Sequence, residues 1–76
     1  MAKLQRPAGS DMVRFLVRNG FQIVRVRGSH HFMQKGEQRT SVPVHGSRIL
    51  KIGTLRSILR DVGMSATDFA RLWGEQ

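Results

Sequence analysis

Two adjacent histidines, His30 and His31, follow a glycine–serine pair in the stretch Gly28-Ser29-His30-His31-Phe32. An imidazole gives or takes a proton near neutral pH. The chain around it is cationic: 13 Lys plus Arg stand against 5 Asp plus Glu, a formal net charge of +8. A cationic surface attracts phosphates. Proton transfer beside such a surface suggests chemistry on a nucleic-acid backbone. His45 and Lys35 are further candidates for a helper role, and Lys35, Arg39 and Arg27 for holding phosphate charge. The bland reading of each cation is a solvated strand residue.

The same histidines make a poor metal site. No carboxylate clusters with them, the chain has no cysteine, and neighbouring strand side chains diverge. Neither a metal nor a small-molecule cofactor is expected. Ser29 would be a nucleophile only with an aligned base and an oxyanion site, so it reads as a turn former.

These residues must be positioned by short elements. Ser10 suits an N-cap and Asp11 a first turn. Met12, Phe15, Leu16 and Asn19 follow at helical spacing, predicting a helix over 10–19 that Gly20 ends. Phe21 to Arg27 predicts a strand in which Val24 and Val26 share a buried face and Arg25 and Arg27 the wet one. Gly28-Ser29 is a turn. His30 to Lys35 predicts a second strand and Arg39 to Val44 a third, with Pro43 near a strand end or edge. Links this short imply an antiparallel meander. His30 and His31 then lie on opposite faces of the sheet.

Residues 45–53 read as a loop, and Thr54 opens a second helix. Leu55, Ile58, Leu59 and Val62 form its apolar stripe, with Arg56 and Arg60 on the other face. Arg56 and Arg60 can track phosphates, receive acidic partner side chains or simply meet solvent. Ser65 to Asp68 resembles a capping box flanked by Met64 and Phe69, opening a last helix over about 66–73. The fold class is α+β: a three-stranded antiparallel sheet with helices on one face.

Bulk properties bound the rest. Seventy-six residues make one domain, 1–76, with 1–8 as a loose lead-in. A chain this short buries only about 60% of its unfolded surface. No apolar run approaches the ~18 residues of a membrane span, and the N-terminus lacks the apolar region of a secretion signal. The absence of cysteine is compatible with the reducing cytoplasm, the expected location. The basic residues are scattered, so they do not form one membrane-binding helix.

The order α-β-β-β-α resembles the double-stranded-RNA-binding domain. Gly20-Phe21, Gly28-Ser29-His30-His31, Val42-Pro43-Val44-His45, Gly53-Thr54-Leu55-Arg56-Ser57-Ile58-Leu59-Arg60 and Gly63-Met64-Ser65, in that order, resemble the HicA family. Those are small mRNA-cleaving toxins of type II toxin–antitoxin pairs. The resemblance runs from about residue 9 to 70. It implies a metal-independent endoribonuclease, an mRNA substrate and a HicB antitoxin partner. It also implies that the second histidine of the motif, His31, is catalytic, as general base on a 2′-hydroxyl or general acid to the leaving 5′-oxygen. The expected RNA contacts are Arg25, Arg27, Lys35, Arg39, Arg56 and Arg60, with Gly28 and Ser29 positioning the site. The segment 46–52 is of a kind that varies and carries no family role. Two other classes compete: an RNA-binding module that does not cut, and an interaction domain for an acidic protein.

Overall fold

The structure is a computed structural model, and it describes residues 5–74. Its elements follow as α1 (Gly9–Arg18), β1 (Gln22–Arg27), β2 (His30–Lys35), β3 (Gln38–Pro43), α2 (Ile52–Asp61) and α3 (Ala66–Gly74). The strands form one antiparallel sheet in the order β1-β2-β3. This is the expected α+β architecture, consistent with the double-stranded-RNA-binding-domain fold.

One face of the sheet is filled. Met33 of β2 and Thr40 and Val42 of β3 are buried, as are Met12, Phe15 and Leu16 of α1 and Leu55, Ile58 and Leu59 of α2. The apolar stripe of each helix supplies that burial, as the 3.6-residue period requires. α3 closes the core through Phe69. Its ring meets Phe15 edge-on at 5.2 Å and Trp73 at 5.4 Å, while Phe15 and Trp73 stand 5.3 Å apart. Aromatic groups at these separations contribute beyond their buried area. Thr40 is the one buried polar residue of the described core, and its hydroxyl donates to Asp61 Oδ2 at 3.0 Å. That bond ties β3 to the end of α2. It also offsets the poor placing of a carboxylate at a helix C-terminus.

Several boundaries differ from the expectation. Ser10 does not cap α1. The helix begins one residue earlier, and Ala8 is its N-cap, with no side-chain cap bond. Gly9 comes so close to β3 that an added Cβ would stand 2.1 Å from the carbonyl oxygen of Pro43. Only glycine permits that approach. The lead-in is tied down where it is described: Pro7 and Ala8 are buried, Ala8 bridges Ile49, and the amide of Leu50 donates to the carbonyl of Pro7. Residues 1–4 of the expected lead-in lie outside the described residues. α2 begins at Ile52, not Thr54. The capping expectation for α3 holds in one half, since the amide of Asp68 donates to Ser65 Oγ at 3.0 Å.

The largest correction concerns β1. Val24 and Val26 do not share a buried face, and all six residues of the strand are exposed. The register explains why. Ile23 pairs with Met33 and Arg25 with Phe32, so Val24 is the extra residue of a β-bulge. The bulge resets the alternation, and Ile23 and Val26 become the helix-side pair. β1 is an edge strand, and even these two remain 46% and 56% exposed.

Candidate active site

Gly28 and Ser29 form the two-residue turn between β1 and β2, with Gly28 at φ 58°. A left-handed residue is what a tight hairpin turn demands, and glycine adopts it without steric cost. The carbonyl of Ser29 accepts from the amide of Val44 at 2.7 Å. The turn is thereby pinned to the end of β3, and the start of β2 is fixed with it.

His31 stands at that start, on the helix side of the sheet. Its neighbours across the strands are Val26 of β1 and Val42 of β3. One is exposed and the other fully buried, so the imidazole sits at the margin of the core. Its Nδ1 is shielded from solvent and meets no hydrogen-bonding group of the protein.

His30 turns the other way, as strand alternation requires. Its cross-strand neighbours are Arg27 and Pro43. It is exposed, its Nδ1 lies 3.3 Å from Ser41 Oγ, and its ring is 6.4 Å from that of Phe32. The two histidines cannot act on one atom or hold one ion. Among the described residues no group of three His, Cys, Asp or Glu comes together.

The remaining site residues divide among separate surfaces. Arg25, Arg27 and Arg39 lie opposite Phe32, His30 and Gln34, so they share the open face of the sheet. Arg56 and Arg60 are exposed on α2, whose buried side packs toward the sheet's opposite face. The six expected RNA contacts therefore do not form one patch. Lys35 is at the far end of β2 from His31, about 13 Å along the strand. Its ammonium donates to the carbonyl of Asn19 at 2.9 Å and stands 5.9 Å from the centre of the Phe21 ring. The structure does not bring it to His31.

His45 is exposed three residues beyond Val42, the strand neighbour of His31. With Pro43, Arg48, Ile49, Leu50, Lys51 and Thr54 it lines a shallow groove at the start of α2. That helix start has no side-chain cap and no acidic residue in its first turn. Arg48 and Lys51 are the basic residues of the loop expected over 45–53, and neither was among the expected site residues. The available signal was two cations just ahead of a helix start lacking an acidic first turn, an arrangement that favours anions.

A small basic α+β domain of the double-stranded-RNA-binding-domain type, with a histidine held at the sheet margin, is the class these features define. A family model described as HicA toxin of bacterial toxin–antitoxin systems matches residues 9–64. The chain belongs to the HicA toxin family, and members are generally mRNA-cleaving toxins. No curated protein matches the chain. The match begins at Gly9, where α1 meets β3, and ends before α3. No helix among the described residues is long and apolar enough to cross a membrane.

Proposed function

We propose that the chain is a metal-independent endoribonuclease that cleaves mRNA, with His31 as its proton-transfer residue. The carrying observation is the His31 ring itself. It is fixed at the turn, half-sheltered by the core, with one nitrogen buried and unpaired. A sheltered polar group without a protein partner is one mark of a functional site.

In this reading the 2′-oxygen of a ribose attacks the adjacent phosphorus, and the bond to the 5′-oxygen breaks. The 2′-proton goes to His31 Nε2, and the departing 5′-oxygen takes its proton from water, to which the imidazolium returns the one it gained. A positioned acid or base contributes typically ~10²–10⁴-fold. The products are a 2′,3′-cyclic phosphate and a free 5′-hydroxyl. His45, Arg48 and Lys51 line the nearby groove, and the two cations Arg48 and Lys51 supply positive charge for the phosphate. DNA lacks the nucleophile and is spared.

A HicB-type antitoxin neutralises the toxin by covering the His31 margin. The formal charge of +8 favours an acidic partner surface. The test is cleavage of an mRNA by the purified protein in EDTA, wild type beside His31→Ala. Cleavage by the wild type that fails in a folded alanine variant supports the reading. A wild-type protein that binds RNA and leaves it intact would replace the nuclease with a binding module.

A further inference from the structure

The open face of the sheet carries a second arrangement that proton transfer at His31 does not use. Its residues fall into rows across the three strands. Arg27, His30 and Pro43 make the first row, and Arg25, Phe32 and Ser41 the second. In each row a cation stands on the edge strand β1 and a ring on the central strand β2. The rings of His30 and Phe32 are 6.4 Å apart and inclined by 38°. No strand residue is acidic. The described carboxylates lie on the helices and on the β2–β3 turn at Glu37.

We propose that this open face is a stacking platform for single-stranded RNA. One or two unpaired bases lie on Phe32 and His30, and Arg25 and Arg27 hold the phosphates that flank them. The chemistry fits a single strand better than a duplex. Unpaired bases can splay onto aromatic side chains of a sheet, whereas duplex bases stay stacked on one another. Arginine suits the task because its planar group both pairs with phosphate and stacks. The platform adjoins the active site through one peptide bond, since His30 and His31 are consecutive and face opposite ways. An RNA strand bending over the Gly28-Ser29 turn meets His31 on one side and the platform on the other. Bases beside the scissile phosphate are thus gripped on the open face. The inference rests on the reading of the chain as an RNA-cutting toxin, and it adds a substrate subsite to that reading.

The test uses the full chain and a short fluorescein-labelled 2′-O-methyl oligouridine, which has no free 2′-hydroxyl. Binding is then measured without cleavage, whatever the role of His31. Phe32→Ala should weaken binding by roughly 5- to 150-fold, the range for losing one stacked base. Phe32→Leu, which keeps an apolar side chain without the aromatic ring, should weaken it similarly and guards against a folding defect. Arg25→Gln with Arg27→Gln should flatten the slope of log affinity against log salt by ~0.7 for each phosphate no longer neutralised. A fully paired RNA duplex should bind all variants within a few-fold of wild type. The proposal is overturned if the Phe32 variants bind oligouridine as tightly as wild type. It is equally overturned if they lose only binding to the antitoxin, which would make the face a protein interface. Loss of cleavage in His31→Ala with unchanged binding by the Phe32 variants would leave the nuclease reading standing and remove the platform alone.

Discussion

On one face of the sheet, Met33, Thr40 and Val42 disappear beneath helices; on the other, Arg25, Arg27, His30 and Arg39 stay in solvent around Phe32. Both faces are drawn from the same strands, alternate residues serving each. The filled face holds the fold together, and the open face is left to cations and rings. His31 belongs to the filled face by direction and to the surface by its place at the sheet's end. That intermediate position gives the imidazole a rigid mount at the edge of the core.

Substitutions on the filled face should cost the most stability, and urea or thermal unfolding measures each one. Phe69→Ala removes a fully buried ring from its place against Phe15 and Trp73 and should cost about 3–5 kcal/mol. Gly9→Ala should cost about 1–3 kcal/mol, because α1 must retreat from the Pro43 carbonyl. Thr40→Val keeps the shape and loses the bond to Asp61, a loss of about 1 kcal/mol. Val26→Thr, on the exposed edge strand, should stay within about 0.5 kcal/mol of wild type. Equal costs at Val26 and Phe69 would break the distinction between a sheltered face and an exposed edge.

Much of this arrangement is legible in the chain. β2 lies where the turns Gly28-Ser29 and Gly36-Glu37 bracket it, and its bounds follow from them. The opposed directions of His30 and His31 follow from strand alternation alone. Ser65 caps α3 because a hydroxyl three residues ahead of an amide suits that bond. Other features are tertiary and leave little local trace. Gly9 looks like the end of a linker until its approach to Pro43 is seen. Val24 looks like one of an alternating pair, since a bulge is set by the pairing strand as much as by its own residues. Arg48 and Lys51 converge with His45 only because the loop folds back beside α2. The unpaired Nδ1 of His31, on which the catalytic reading leans, depends on packing that no spacing rule reports.

The most direct measurement is RNA cleavage in EDTA by wild type and His31→Ala, with thermal unfolding to show that the variant is folded. The expected result is cleavage by the wild type that drops in the variant by ~10²-fold or more. A folded His31→Ala protein that cuts RNA as fast as wild type would contradict the assignment of His31.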